Sequence, residues 1–469
     1  MGNSFDLVIR GGTVATACDV FKASIGIRDG RIVALADDLP RGAEEIDATG
    51  KLVLPGGVDA HCHFDQPTSD GSRMADDFRS GPLSAAFGGT TTVIPFACQQ
   101  KGQSLRAAVQ DYHERADGKS VIDYAFHLIV TDPTEHVLGQ ELPALIRDGY
   151  TSFKIYTTYD DLKLNDRQIL EVLALAKREH ALTMIHAENA DIIAWLTDQL
   201  ERVGHTAPRY HAAARPAIAE REATHRAISL AEVIDAPILV VHVSGGEALN
   251  QIAEARHRGL RVFGETCPQY LFLTADDLNL SGFEGAKHIC SPPPRDGASQ
   301  QSVWRGIQDG TFQIFSSDHA PFRFDDAKGK KVAGDKASFT HVPNGIPGVE
   351  TRLPLLFSEG VVKGKISLPR FVQLTATNPA RLYGLMPRKG TIAIGADADI
   401  AIWDPEKKVT VTNDILHHDV DYTPYEGRQI VGWPQVVISR GEIVIRDGQC
   451  LGKAGRGEFL ECGEPDILL

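Results

Sequence analysis

Residues 54–67 read LPGGVDAHCHFDQP: an apolar run ends in Pro55-Gly56-Gly57, and His61 and His63 follow two residues apart. In an extended strand, residues i and i+2 point to the same face. Two imidazoles on one face at a strand end are half of a metal site, because neutral histidine is a good zinc ligand. A bare His-X-His is also common as a plain buried or surface pair, so the rest of the chain has to decide.

Outward from this stretch, the middle of the chain alternates. Apolar strand candidates lie at 53–61, 90–96, 122–130, 151–156, 182–186, 238–242, 261–266 and 312–316, with helical spacing between them, for example at 167–180 and 247–257. Eight strands alternating with helices predict an α/β fold, a (β/α)8 TIM-like barrel. Two blocks interrupt the eightfold rhythm: 187–236 holds too much helix for one crossover, and 272–300 is a long loop. Long insertions of this kind are where such barrels carry function.

The ends differ from the middle. Short apolar runs separated by Gly and Asp-Gly turns fill 5–54 and return near the C-terminus, with Arg28-Asp29-Gly30 echoed by Arg446-Asp447-Gly448. These ends predict one small β-sandwich, 1–54 with 387–450, flanking a metal-dependent catalytic barrel at 55–386. A C-terminal tail follows at 451–469, and its Gly- and Glu-rich part, 453–469, is expected to be mobile.

In a barrel, the C-terminal strand ends converge on one face. The first strand brings His61 and His63 there, the fourth Lys154, the fifth His186, the sixth His242 and the eighth Asp318. Four histidines, a lysine and an aspartate at the same end of five strands point to a metal centre. Lys154 is the odd member, because an ammonium is no ligand and is disfavoured in the positive field of metal ions. Carbon dioxide converts a neutral amine to a carbamate, and a carbamate at Lys154 would bridge two cations as a carboxylate does.

The totals narrow the setting. The chain has 469 residues and a net charge of -14, with no basic stripe, which argues against nucleic-acid or anionic-membrane partners. No apolar stretch approaches a membrane span, and no signal-peptide core opens the chain. Met1-Gly2 begins like a myristoylation signal, but position 6, where Ser or Thr is needed, is Asp6. Seven cysteines without a regular framework suggest free thiols in a reducing compartment, so a cytoplasmic protein is expected.

Further segments carry a resemblance: ADDF at 75–78, FGGTTT at 87–92, 152–159, 186–189, 242–245, TCPQY at 266–270, SPPPR at 291–295, 317–322, PNGIPGVE at 343–350, 378–380, 389–405 and HDVDYTPYEG at 418–427. Together with 55–67, and in this order, they resemble the amidohydrolase superfamily and, within it, the dihydropyrimidinase/hydantoinase family. The resemblance implies a binuclear site, usually zinc. His61, His63 and Asp318 would bind one ion, His186 and His242 the other, and Lys154, as N6-carboxylysine, would bridge both. A hydroxide held between ions about 3.5–4 Å apart would attack the ring carbonyl. Asp318 would move its proton to the leaving nitrogen. Tyr159 would donate to the oxyanion, and Ser291 and Asn344 would hold the ring N–H and C=O, largely through their backbone.

The residue two after the second histidine is Asp65, as in dihydropyrimidinases and hydantoinases, where dihydroorotases carry Arg and allantoinases usually Asn. An acid there disfavours an anionic substrate, so a neutral cyclic amide is expected, a dihydropyrimidine or a 5-substituted hydantoin opened to an N-carbamoyl amino acid. The loops expected round the exocyclic substituent, at 66–68, 96–100 and 157–161, are more polar than in many relatives. Alternatives are a cyclic imide hydrolase, an allantoinase-like enzyme, or a non-catalytic scaffold like the collapsin-response mediator proteins, which have lost metal ligands kept here. The resemblance also implies a homotetramer or homodimer.

Overall fold

The computed structural model describes residues 5–468; the Met1-Gly2 start and Leu469 lie outside the described residues. Five strands open the chain: β1 (Phe5–Ala15), β2 (Val20–Arg28), β3 (Arg31–Ala36), β4 (Gly42–Asp47) and β5 (Leu52–Pro55). The middle supplies β6 (Gly57–Cys62), β7 (Thr90–Cys98), β8 (Asp123–Tyr124), β9 (His127–Ile129), β10 (Ser152–Tyr156), β11 (Leu182–His186), β12 (Ile238–Val240), β13 (Val262–Thr266) and β14 (Ile314–Phe315). The end adds β15 (Ile400–Thr410), β16 (Gln429–Ser439), β17 (Glu442–Arg446) and β18 (Gln449–Cys450).

Both chain ends build one mainly antiparallel sheet, ordered β18-β17-β16-β15-β5-β1-β2-β3, with β4 beside β1. The join is the β5–β15 pair, where Val53 lies opposite Ile402 and Pro55 opposite Ile400. Side chains from the two ends (Ile9, Ile25, Val53, Ile400 and Ile438) bury one another in a common apolar cluster.

The middle strands form a parallel barrel in the order β14-β13-β12-β11-β10-β9-β7-β6, with β8 alongside β7. Two expected strands divide. The run 53–61 is β5 of the end sheet and β6 of the barrel, broken at Gly56, where a Cβ would stand 2.2 Å from Thr91 Oγ1. The run 122–130 is β8 and β9. The barrel closes at the β14–β6 seam. There His63 N donates to His319 O at 2.7 Å, Ser317 N to Asp59 Oδ1 at 3.1 Å, and Ser317 Oγ to His61 O at 3.1 Å. Fully buried Arg352 reinforces the seam, donating to Phe315 O at 2.8 Å and Thr90 Oγ1 at 3.0 Å.

Helices wrap the barrel as the spacing requires. Asp166–Arg178 buries Ile169, Val172, Leu173 and Ala176 on one face. Its N-cap, Asn165, accepts from Gln168 N while Gln168 reaches back to Asn165 N, a reciprocal cap that is worth about 1 kcal/mol. The helix-rich block becomes Ala190–Arg202, Tyr210–Ala214 and Ala217–Ile234.

The tail is not loose. Glu458 O accepts from Tyr124 N at 3.0 Å, Leu460 N donates to Tyr124 O at 2.7 Å, and Cys462 N donates to Gly149 O at 3.0 Å. Phe459 packs on the rings of His113, Phe126 and Tyr150. Apolar Phe459 and Leu460 outweigh the glycines on either side.

A buried charge cluster joins the parts. Lys389 Nζ lies 2.6 Å from Asp123 Oδ2 at the barrel, and 2.8 Å from Asp399 Oδ2 and 3.0 Å from Asp397 Oδ2 beside the end sheet. Asp123 Oδ1 accepts from Arg440 Nε at 3.0 Å and from Glu458 N of the tail at 2.9 Å.

Candidate active site

The closing seam assembles half of the site. It sets the end of β6 beside the turn after β14, so His61 Nε2 lies 3.2 Å and His63 Nε2 3.6 Å from Asp318 Oδ1. The other ring nitrogen of each histidine is occupied: His61 Nδ1 donates to Glu265 Oε1 at 2.6 Å, and His63 Nδ1 to Gln66 Oε1 at 2.7 Å. Both Nε2 atoms therefore present lone pairs to a carboxylate oxygen. Three acceptors gathered this closely repel one another, and a cation among them reverses the sign. This donor set fits a divalent ion held by His61, His63 and Asp318.

The second half comes from β11 and β12. His186 Nδ1 and His242 Nε2 stand 2.9 Å apart, and His186 Nε2 donates to Glu188 Oε2 at 2.7 Å. His242 Nδ1 is buried and has no partner. Lys154, central in β10, ends between the halves with Nζ 2.9 Å from His61 Nε2. Phe96 of β7 forms an apolar wall, 4.5 Å from Lys154 Nζ and stacked on His63. All six residues converge from five strands, and the two histidine pairs are also linked by His61 and His242, whose ring centroids are 5.3 Å apart.

Burial controls the electrostatics. It brings the Lys154 amine down to about 8, against the opposing pull of Asp318 and Glu265. Desolvation keeps His61, His186 and His242 below the ordinary histidine range, hence neutral and ready to ligate. For Asp318 burial pushes upward, but His61, His63 and Lys154 together hold it below the usual value. Tyr159, His242 and Asp318 hold positive φ, 65°, 40° and 48°. Backbone strain of this kind gathers at functional sites, and it persists only where the surroundings enforce it.

Sequence reasoning missed the residues that aim these groups. Glu265 accepts from His61 Nδ1, His242 N at 3.0 Å and Ser316 Oγ at 3.0 Å, and burial lifts its carboxyl to about 8. The His242 N–H, the Lys154 amine and the Ser316 hydroxyl act in the other direction. Glu188 Oε2 is shared between His186 and Arg215 Nη1 at 2.7 Å; burial raises its carboxyl, but Arg215 and His186 prevail and hold it at about 2. Arg215 also stacks 5.2 Å from the Tyr159 ring centroid. Glu188 sat in view in the HAEN segment, two residues after a strand-end histidine; Glu265, immediately before TCPQY, lies on a strand that carries no candidate ligand and gave no such signal.

A cavity of about 650 Å³ opens over the centre, lined by His63, Lys154, His186, His242 and Asp318 together with Tyr159, Ser291 and Asn344. Ser291 Oγ and Asn344 Oδ1 are buried without partners, and Asn344 Nδ2 reaches Tyr159 Oη at 3.4 Å. Gln66, Thr68, Gln100, Asp160 and Asp161 also line it, as the loop reading expected. Asp65 does not. It pairs with Arg115 at 3.1 Å and does not line the cavity, so it is not the residue that meets the substrate there and does not by itself select a neutral ring.

Residues 52–444 match the model of the amidohydrolase family. The chain belongs to that family. Its relatives put it in the dihydropyrimidinase/hydantoinase branch. It is 46% identical over 465 residues to the D-hydantoinase of Geobacillus stearothermophilus, covering 98% of each chain. It is 45% identical over 459 residues to that of Streptomyces coelicolor, covering 96% of this chain and 97% of that one. Among solved structures, dihydropyrimidinase from Brevibacillus agri NCHU1002 superposes with a TM-score of 0.95 at 46% identity, over 98% of this chain and 99% of that one. The L-hydantoinase of Arthrobacter aurescens follows at 0.88 and 27%, over 97% and 100%.

Amidohydrolases of this family are metal-dependent, and the His61–His63–Asp318 cluster is where this one offers a cation its ligands. Among the described residues of this amidohydrolase, no helix is long and apolar enough to cross a membrane. All seven cysteines are free.

Proposed function

We propose that this protein hydrolyses the ring amide of hydantoins or dihydropyrimidines to N-carbamoyl amino acids, using two divalent metal ions, the pair of zincs that its ligand chemistry suits. The observation that carries the reading is the unpartnered pair Ser291 Oγ and Asn344 Oδ1, buried beside Tyr159 in a cavity floored by five of the six candidate ligands, His63, Lys154, His186, His242 and Asp318. A planar ring amide, with an N–H to donate and a C=O to accept, meets the unmet needs of such a wall. When bound, the two ions would supply an activated water and polarise the ring carbonyl.

The chain's own residues do the rest. His61, His63 and Asp318 would hold one ion, and His186 and His242 the other. Lys154 Nζ would add to carbon dioxide and lose a proton, and the resulting carbamate would serve both ions as a carboxylate ligand; its buried amine, brought to about 8, supports this by supplying the neutral form. Asp318 takes the proton of the attacking water on a carboxylate oxygen and delivers it to the leaving ring nitrogen. Tyr159 Oη donates to the oxygen on which charge develops. Ser291 and Asn344 orient the ring so that its carbonyl faces Asp318.

The same proposal takes 1–54 with 387–450 as the β unit, 55–386 as the catalytic barrel and 451–469 as the tail. It includes a homotetramer or homodimer and a cytoplasmic setting, the latter supported by the free thiols. The test is ring opening of dihydrouracil, hydantoin, a bulky 5-substituted hydantoin and succinimide, each with and without chelator. Chelator-sensitive opening of a hydantoin or dihydrouracil is expected. Opening of succinimide alone would make the protein an imide hydrolase, and no turnover by metal-loaded protein would sink the proposal.

A further inference from the structure

Lys330 has no solvent exposure. Its Nζ donates to Ile289 O at 2.9 Å and to Pro343 O at 2.7 Å. Those carbonyls belong to two loops far apart in sequence, one leading into Ser291 and the other into Asn344. Gly345 N adds a second link, donating to Ile289 O at 3.0 Å. The crossing is tight: Gly345 has φ +147° and a Cβ there would stand 2.5 Å from Ala320.

An amine in this position is costly. Burial brings it down to about 7, and only the Cys290 thiol acts in opposition. An apolar side chain would fill the same volume without that cost. What it would lack is N–H donors, and here they satisfy two main-chain carbonyls on different loops.

We propose that Lys330 is a positioning residue: by tying the 289–291 and 343–345 loops together it sets the spacing of Ser291 and Asn344, and with it the width of the slot for the ring amide. This rests on the reading of the cavity as a ring-amide site. Lys330 touches neither the candidate metal ligands nor the reacting atoms. A slot held by loop spacing grips the ring equally before and during reaction, so its loosening acts on KM more than on kcat.

The experiment measures KM, kcat and bound metal for metal-loaded wild type, Lys330→Met and Lys330→Gln on the cyclic amide the wild type opens best. Lys331→Met, whose side chain pairs with Asp325 at 2.8 Å, serves as the neighbouring control. Lys330→Met is expected to raise KM about 10-fold, with kcat and metal content little changed. Lys330→Gln, which keeps two N–H donors, falls between, and Lys331→Met matches wild type. A folded Lys330 variant with wild-type KM overturns the proposal, as does a loss confined to kcat or metal. Should Lys330→Met not fold, Lys330→Gln combined with Asn344→Ala decides. A double variant no worse than Asn344→Ala supports a common slot, and fully multiplying losses overturn it. Failure of the wild type to open any ring, seen before any variant is compared, removes the site reading and this inference with it.

Discussion

Glu265 Oε1 stands 2.6 Å from His61 Nδ1 and also accepts from the backbone N–H of His242, so one buried acid orients a histidine from each half of the centre. Outer partners of this kind fix the ring tautomer and raise ligand basicity. Glu265→Gln is expected to weaken metal binding by about 10–100-fold. Titration of the metal-free variant with zinc measures it, and an unchanged affinity would make Glu265 a purely structural acid.

Lys154→Ala is expected to lose both metal and turnover, because the Lys154 side chain ends between the two histidine pairs. Short carboxylic acids should restore part of the activity by occupying the vacated place. Elemental analysis of the purified variant decides: full metal occupancy would falsify the bridging role.

Asp318→Asn keeps the shape of the side chain and removes its capacity to accept a proton. Turnover is expected to fall by about 10²–10⁴-fold, the range for loss of a general base. The measurement is kcat at matched metal content. Substantial activity in a fully loaded variant would move the proton transfer elsewhere.

Lys330 also makes a pH prediction away from the metal. Its amine titrates near 7 when folded against 10.5 for the free side chain. Between these values the unfolded chain binds the extra proton, so stability from this group rises with pH across the window. The cost is complete below about 7 and gone above about 10.5. Its neighbours stay neutral over that window: burial keeps the Cys290 thiol well above its usual range, His211 at about 3 and His288 below the ordinary value. Urea midpoints of wild type and Lys330→Met should therefore diverge in favour of wild type from pH 7 to 10. Parallel curves would remove the assignment.

The fold was legible because periodicity is strong where strands are buried on both faces, as at β10 and β11. It failed at Gly56, where a continuous apolar run crosses from one sheet to the other and only the close approach of Thr91 reveals the break. The six candidate ligands were legible because each stands out as a polar residue within or just beyond an apolar strand, Lys154 inside β10 and the histidines and Asp318 near or past the strand ends. Glu265 and Arg215 were not, because an orienting acid or base is recognised by what it touches, and those contacts join residues far apart in the chain. Asp65 misled for the same reason: its partner, Arg115, lies on another element.

The ion cluster round Lys389 has a consequence for how the molecule comes apart. Asp123 belongs to the barrel, Asp399 to the sheet made by the chain ends, and Glu458, on the same carboxylate, to the tail. Parting the barrel from the end sheet takes Asp123 away from Lys389 and Arg440, a loss of several kcal/mol for an unpaired buried ion. The regions are therefore expected to unfold together, and calorimetry should record one cooperative endotherm per chain.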